Sequence, residues 1–223
     1  MRPVNKKANN KNYRNYQDAK PDLIDEIGEY CSYCEVELKV GLAVEHLQPE
    51  SLKPELSLKW DNFLLSCGSC NSSKGAKDIE PEDFLWPHKN NTFNAFIYTP
   101  GGEIGINKDL NELKYKKAAK TLELLGLNKR NAKNKYNKRH SNRIGAWTKA
   151  CYSYKRLQQN DSPQLREEII EHALDKGYWS IWMTVFKEDI DMRRRFIKEF
   201  KGTCKECFDQ RTEPVIRKTG LKI

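Results

Sequence analysis

The sequence is sparing with apolar residues and contains no long uninterrupted run of them. Hydrophobic side chains make up 38% of the 223 residues and charged side chains 32%. No stretch approaches the ~18 consecutive apolar residues that a membrane-spanning helix needs. The basic first residues, 1–17, also lack the apolar stretch of a secretory signal. We therefore expect a soluble cytoplasmic chain, with one large domain or two small ones and no membrane partner.

No internal repeat or low-complexity linker divides the chain, so its parts should pack together. The pattern predicts an α+β fold that is mostly helical, with a basic N-terminal arm (1–20), a small mixed module (21–108) and a helical domain with a basic face (109–223). The arm is either a flexible contact for nucleic acid or a partner, or a solvated tail. Alternating apolar residues around a Pro-Gly-Gly turn predict a hairpin over 93–107.

Acidic residues are absent from residues 129–156, which carry ten lysines and arginines. The chain's net charge of +9 therefore leaves −1 for the rest of the sequence. A helix of one charge sign repels itself unless a polyanion neutralises it, and a phosphate backbone is the natural partner. A solvated helix face is the alternative. The candidate nucleic-acid contacts are Lys129, Arg130, Lys133, Lys135, Lys138, Arg139 and Arg143.

Cysteine, by contrast, is patterned. Cys31 and Cys34 form one C-x-x-C pair, and Cys67 and Cys70 form a second after 32 intervening residues. Two such pairs can supply four converging thiolates, the usual ligand set of a closed structural zinc site. Paired thiols without a secretory signal are typical of the reducing cytosol, which favours metal binding over disulfides. Two disulfides or four unrelated thiols are the alternative.

A third pair, Cys204 and Cys207, has only two ligands in the nearby sequence. Cys151 or a partner chain would be needed to complete a second metal site, so two ordinary thiols are the default interpretation. The sequence leaves this choice open.

The segment between the first two pairs combines strand-forming residues with groups suited to catalysis. Leu42-Ala43-Val44 predicts a short buried strand that delivers Glu45 and His46 at its end, and a second strand is predicted through 63–65. A short helix is expected to begin at Asn71. Neighbouring residues in a strand point to opposite sides, so Glu45 and His46 can share one site only if the chain bends there.

Three ordered motifs within residues 28–78 carry a family resemblance. They are E-H-x-x-P from Glu45, W-x-N-F-L-L from Trp60, and C-x-x-C-N-x-x-K from Cys67. This set resembles the HNH endonucleases, which have a ββα-metal fold and hydrolyse phosphodiester bonds with a divalent cation. The resemblance implies the same fold and activity here, with Mg²⁺ or Mn²⁺ as the catalytic ion beside the structural Zn²⁺.

The resemblance also implies a role for each matching residue. His46 would be the general base. Glu45 and Asn71 would hold the catalytic ion, Asn62 would brace the catalytic loop, and Lys74 would lie near the phosphate. The family's acidic residue is more often aspartate, so the longer Glu45 is a departure that bears on the choice of metal.

The residues support the same reaction on chemical grounds. Phosphodiester hydrolysis needs an activated water and stabilisation of the charge that develops on the phosphoryl and leaving oxygens. An imidazole titrates near neutral pH and suits the first task. A hard cation on carboxylate and amide oxygens suits the second. A histidine taken alone is more often structural, so the interpretation of His46 depends on the surrounding set.

Longer segments of the first hundred residues narrow the resemblance. The segments MRPVNK, IGEYCSYCE, AVEHLQPES, WDNFLLSCGSCNSSK and FLWPHKNNTFNAF are similar to the HNH nuclease subunits of Septu-type phage defence systems, including those associated with retrons. That resemblance implies control by a PtuA-like ATPase subunit. If the system is one of those associated with retrons, the resemblance also implies a reverse transcriptase and its DNA as partners. It also implies degradation of nucleic acid during infection, either DNA or a structured RNA such as tRNA.

Two other functions are compatible with the sequence. One is a stand-alone HNH restriction or homing endonuclease, and the other is a non-catalytic zinc module that binds nucleic acid. Cleavage at one defined sequence by the isolated chain would favour the first. Salt-dependent binding without metal-dependent cleavage would favour the second.

Overall fold

The computed structural model describes residues 1–131 and 137–217, with the strands in the first half of the chain and most helices in the second. The fold is mostly helical with two small sheets, which confirms the predicted class. The strands are β1 (Leu42–His46), β2 (Phe63–Cys67), β3 (Phe96–Tyr98) and β4 (Ile104–Ile106). The helices are α1 (Lys20–Ile27), α2 (Gly68–Lys74), α3 (Thr92–Ala95), α4 (Glu112–Leu125), α5 (Lys138–Gln159), α6 (Pro163–Lys176), α7 (Trp179–Val185) and α8 (Ile190–Glu199).

β1 and β2 form an antiparallel pair that carries the segment between the first two cysteine pairs. Leu42 lies opposite Cys67 at one end, and His46 lies opposite Phe63 at the other. β2 is buried along its whole length, as its continuous apolar run predicts. The pairing places the candidate catalytic residues at the end of β1 that is farther from Cys67.

α2 follows β2 without a loop. It begins at Gly68, three residues before the predicted start at Asn71, because Cys67 serves as its N-cap and Cys70 lies in its first turn. Gly75 ends the helix with a positive φ of 58°, which glycine adopts without strain. β1, β2 and α2 together form the ββα unit that the resemblance implied.

A second hairpin follows the ββα unit. β3 and β4 pair in antiparallel register, with Phe96 opposite Ile106 and Tyr98 opposite Ile104. This confirms the hairpin predicted over 93–107, although the first residues of that span belong to α3.

Capping residues mark the end of α4 and the start of α6. α4 ends at Gly126, which is left-handed, and Ser162 caps α6 just before Pro163. α5 begins after Asn137. In the basic segment 129–156, residues 138–156 therefore belong to α5, residues 129–131 precede it outside any helix, and residues 132–136 lie outside the described ranges. No helix within the described ranges is long and apolar enough to cross a membrane.

The helical half packs directly against the first cysteine pair through Glu35. The Tyr178 amide donates to the Glu35 carbonyl at 2.8 Å, and Ser180 donates its amide and hydroxyl to the carboxylate at 2.7 and 2.6 Å. Gly177 has φ of +72°, and a Cβ there would lie 2.3 Å from the Glu35 carbonyl oxygen. Only glycine allows this close approach, which joins the two halves.

The start of the chain lies in the interior rather than in an arm. Met1 and Val4 are buried, and Val4 bridges to Thr203 near the other end of the chain. The Arg2 guanidinium donates to backbone carbonyls at the end of α1 and just after α8, those of Ile27 (2.7 Å), Phe200 (3.3 Å) and Lys201 (2.6 Å). The first residues therefore form neither a flexible contact nor a solvated tail, which corrects the expectation for this part of residues 1–20.

Candidate functional site

The two cysteine pairs meet at one buried point. The Sγ atoms of Cys31, Cys34, Cys67 and Cys70 all lie within 4.8 Å of one another, and Cys34 and Cys67 are 3.7 Å apart. A disulfide would need ~2.05 Å, whereas sulfurs ~2.3 Å from one tetrahedral zinc lie ~3.8 Å apart. The donor set therefore fits a structural zinc site with four thiolates, and this geometry leaves no place for the disulfide alternative.

Glu45 points from β1 towards α2. Its carboxylate is 2.9 Å from Lys74 Nζ, and the two side chains are 4% and 2% exposed. Burial raises the pKa of Glu45 above its ordinary value, while the nearby charges of Lys74 and His46 act in the opposite direction. Lys74 is thus enclosed with a carboxylate, and its place near a substrate phosphate stays a prediction.

His46 points towards the 3₁₀ turn Tyr16–Ala19. Its ring packs edge-on against Tyr16 and Phe63, with centroids 4.7 and 5.2 Å apart. Nε2 lies 2.9 Å from the Ser57 carbonyl oxygen. Because a carbonyl only accepts, Nε2 carries the hydrogen and Nδ1 carries the lone pair of the neutral ring. The surroundings therefore set both the orientation and the tautomer of the His46 ring.

Glu45 and His46 share the strand but contact different elements. No hydrogen bond joins them in the parts of the chain that the structure describes, and the predicted bend does not fall between them. Pairing instead continues one residue further, where the Leu47 amide donates to the Asn62 carbonyl at 2.8 Å. The two side chains influence each other through charge rather than through contact.

Asn62 ties down the loop that follows β1. Its Oδ1 accepts from the Gln48 amide at 2.9 Å. Its Nδ2 donates to the carbonyls of Gln48 and Leu56 at 2.9 and 3.3 Å. The side chain is 6% exposed, so these bonds hold the loop beside His46 in one conformation.

Asn71 lies on α2, three residues before Lys74. Residues three apart share a helix face, so Asn71 faces the same side as the partner of Glu45. Its side chain forms no hydrogen bond within residues 1–131 and 137–217. Its amide oxygen and the Glu45 carboxylate are the types of donor that a hard divalent cation such as Mg²⁺ or Mn²⁺ prefers.

Comparison with known proteins assigns this part of the chain. Residues 31–77 match the family model for HNH endonuclease. This HNH region contains both cysteine pairs and the candidate catalytic residues Glu45, His46, Asn62, Asn71 and Lys74. The predicted resemblance to HNH endonucleases is confirmed over this span.

The chain is also similar to Septu protein PtuB of Bacillus thuringiensis, with 30% identity over 109 residues. The alignment covers 48% of this chain and 39% of the relative. The match therefore spans about two-fifths of the relative's length, and the predicted likeness to Septu proteins is confirmed over about half of this chain.

Two arginines predicted to bind nucleic acid are instead used inside the molecule. Arg143 is 2% exposed and donates to the carbonyls of Gly102 (2.6 Å) and Leu127 (3.1 Å). Arg139 contacts the HNH region, where its Nη1 lies 3.3 Å from Cys70 Sγ. Arg143 is buried away from solvent, and both terminal nitrogens of Arg139 already donate to protein groups, so neither guanidinium is placed to meet a phosphate in this conformation.

The other predicted basic contacts differ in their surroundings. Lys129 and Lys138 are exposed and have no carboxylate partner within the described ranges. Arg130 is 66% exposed and lies 3.5 Å from Glu103. Lys133 and Lys135 lie outside the described residues.

The third cysteine pair is not part of a similar cluster. Cys204 and Cys207 are buried, and the Cys207 amide donates to the Cys204 carbonyl at 3.2 Å. A hydrogen bond from Cys207 lowers the pKa of Cys204 to about 7. Across residues 1–131 and 137–217 no second group of three or more metal-ligating side chains is found, and Cys151 is exposed on α5.

Sequence reasoning missed the groups that support the candidate residues. The Ser57 carbonyl is a backbone group, and Tyr16 lies 30 residues before His46, so no local signal marks either. Arg139 could be singled out by its place in a basic run, but that run suggested a nucleic-acid contact and gave no sign of its contact with Cys70.

Proposed function

We propose that this chain is a metal-dependent HNH endonuclease that hydrolyses phosphodiester bonds. The observation that carries the proposal is the setting of His46, whose Nε2 is bound to a carbonyl while Nδ1 is left to accept a proton. The match of residues 31–77 to the HNH endonuclease model supports it.

In the proposed reaction His46 Nδ1 takes a proton from water. The water oxygen forms a bond to phosphorus while the bond from phosphorus to the 3′-oxygen breaks, and the leaving oxygen takes up a proton. The products are a 5′-phosphate and a 3′-hydroxyl. Tyr16 and Phe63 hold the imidazole plane, and Asn62 keeps the neighbouring loop from collapsing onto it.

Glu45 and Asn71 would hold Mg²⁺ or Mn²⁺. When bound, such an ion stabilises negative charge on the phosphoryl and leaving oxygens as a Lewis acid. Lys74 positions the Glu45 carboxylate and favours its ionised form. The four cysteines would hold Zn²⁺, which keeps β1, β2 and α2 in register and has no open position for chemistry.

We extend the proposal to a nuclease subunit of a Septu-type defence system. The similarity to Septu protein PtuB supports this extension. Control would come from an ATPase partner, and a retron-associated system would add a reverse transcriptase and its DNA. The substrate would be DNA or a structured RNA such as tRNA, since attack by water needs no 2′-hydroxyl.

The test compares wild type with His46→Ala, and with His172→Ala as a matched histidine control on α6. Each full-length chain is incubated with plasmid DNA, single-stranded DNA and bulk tRNA, with Mg²⁺ or Mn²⁺, and with any co-purifying partner retained. We expect cleavage of one class by wild type and His172→Ala, and a loss of at least ~100-fold in rate for His46→Ala.

Equal cleavage by wild type and His46→Ala would remove His46 as the base. Salt-sensitive binding without cleavage by any form, with the partner present, would favour the non-catalytic binding module. Cutting at one defined sequence by the isolated chain would favour a stand-alone restriction-type enzyme.

A further inference from the structure

A polar cleft of about 540 Å³ lies between the outer face of α2 and the first turn of α5. No aspartate or glutamate of the described residues lines it. One wall has three serines and the other has basic and amide side chains. The lining residues are Ser69, Ser72, Ser73, Lys129, Asn137, Lys138 and Arg139.

The cleft concentrates uncompensated positive charge beside hydrogen-bond donors. Lys129 and Lys138 are exposed, and neither has a carboxylate within ion-pairing distance in the described ranges. By contrast, Arg130 next to them is paired with Glu103. Ammonium groups beside serine hydroxyls, with no competing carboxylate, are the chemistry that binds a phosphate group.

The basic wall is held in place by side-chain amides. Asn137 caps α5 by accepting from the His140 amide at 3.3 Å, and its Nδ2 donates to the Lys129 carbonyl at 3.2 Å. Asn131 Nδ2 donates to Ser141 Oγ at 2.9 Å. These bonds fix the backbone of Lys129 relative to the start of α5, so the two lysines are placed before any ligand arrives.

Arg139 joins the two walls and the zinc ligands. Nη1 donates to Cys70 Sγ at 3.3 Å and to the Leu125 carbonyl at 2.8 Å. Nη2 donates to Ser73 Oγ at 3.1 Å and to the Gly126 carbonyl at 2.9 Å. Four of the five guanidinium donors are thereby used, so Arg139 holds the cleft together and is not itself open to a ligand.

Building on the proposed nuclease function, we propose that this cleft is a subsite for the phosphate backbone of the substrate strand. Lys129 and Lys138 contact the phosphates, and Arg139 is a positioning residue that couples the cleft to the zinc ligand Cys70. α2 also carries Asn71, and seven helical residues span ~10 Å. That length matches ~3 nucleotides of one strand, so the cleft holds phosphates close to the bond that is cut.

The contact residues are tested by the salt dependence of binding. In the full-length His46→Ala background, without divalent cation, anisotropy is measured for a short labelled DNA duplex and for labelled tRNA. The double variant Lys129→Gln/Lys138→Gln should lower the slope of log affinity against log salt by about two. The control Lys187→Gln/Lys198→Gln removes two exposed charges outside the cleft and should leave the slope unchanged.

The positioning role of Arg139 is tested by the rate of zinc release, which the loss of a phosphate contact alone would not change. Arg139→Gln should weaken binding roughly fivefold or more with an unchanged salt slope, and should speed zinc transfer to a chromophoric chelator. Arg139→Lys should restore part of the binding affinity and part of the slow zinc release of the wild type. A slope lowered by about one would make Arg139 a phosphate contact and overturn the positioning role.

The two proposals fail separately. Equal slopes for the cleft and control double variants would overturn the subsite, even if His46→Ala abolishes cleavage. A lowered slope for the cleft variant, with no cleavage by the wild-type chain and its partner, would overturn the nuclease function and keep the binding site. The probe whose slope responds, DNA or tRNA, identifies the class of substrate backbone that the cleft holds.

Discussion

The imidazoles of His46 and His88 have opposite surroundings. Nε2 of His46 has the Ser57 carbonyl as a partner, whereas both ring nitrogens of His88 are buried without a hydrogen-bond partner in the described residues. Burial, followed by the charges of three nearby cationic side chains, lowers the pKa of His88 well below its usual 6.5. The folded chain therefore holds His88 in its neutral form.

This setting predicts an acid-dependent loss of stability that His88→Leu removes. Below pH ~6.5 the unfolded chain binds a proton at His88 and the folded chain does not, so the free energy of unfolding falls as the pH is lowered. Between about pH 7.5 and about pH 5.5 the wild type should lose ~1.4 kcal/mol more than His88→Leu. Urea unfolding at both pH values measures this difference, and parallel losses in the two proteins would contradict it.

Among structural elements, the β1–β2–α2 unit is the one that a metal ion in the four-cysteine cluster would stabilise. Its two cysteine pairs lie at opposite ends of a 32-residue insert and bring four buried sulfurs together. Four thiolates packed this closely repel one another unless a cation lies between them. Structural zinc sites contribute their binding free energy directly to folding, so removal of the metal should affect the unit as a whole.

Replacement of one ligand should show which cysteines hold zinc. Apparent free energies of structural zinc binding are roughly 10–16 kcal/mol in zinc-finger peptides. Cys31→Ser should therefore lose the metal and melt well below the wild type. Cys204→Ser, a change in the third C-x-x-C pair, should keep one zinc per chain. Elemental analysis measures the zinc content of each variant, and thermal melting measures its stability. A fall in zinc content for Cys204→Ser would reveal a second site.

At the scale of the whole molecule, Glu35 links the two halves of the chain. Its carboxylate lies 3.2 Å from the Met1 ammonium and accepts a hydrogen bond from Tyr98 at 3.2 Å, in addition to those from Ser180. Burial alone would raise the pKa of Glu35, but the ammonium and the hydrogen bonds outweigh it and lower the pKa below its usual value. One buried carboxylate thus connects the segment of the first cysteine pair with β3 and α7.

Glu35→Gln should therefore destabilise the entire fold rather than one half. Breaking a buried ion pair costs roughly 3–5 kcal/mol, and we expect that fall in the free energy of unfolding. Glu37→Gln, two residues away and with no ion pair in the described residues, is the control and should change it by less than ~1 kcal/mol. Tryptophan fluorescence and zinc release should follow one transition, since separate transitions would show that the halves unfold independently.

Much of the fold could be predicted because its signals act over a few residues. The cysteine pairs, the hairpin over 93–107, the end of α4 at Gly126 and the start of α6 at Ser162 all follow from spacing, turn and capping chemistry. The start of α2 was missed because helix-starting signals are weak there and Cys67 caps the helix without a side-chain hydrogen bond.

By itself the sequence determined the HNH motif, the two paired-cysteine motifs and the presence of a basic segment, because each is a set of residue types at short, ordered spacing. Only the tertiary structure decided what the charged groups contact. Arg139 and Arg143 lie in one basic run with Lys138, yet the two arginines bind a thiol and carbonyls of distant segments while the lysine faces solvent. Arg2 likewise donates its hydrogen bonds to the carbonyls of Ile27 and Lys201, which are far apart in the sequence. A side chain's charge is fixed by its type, but its partner is set by which backbone the folded chain brings within ~3 Å.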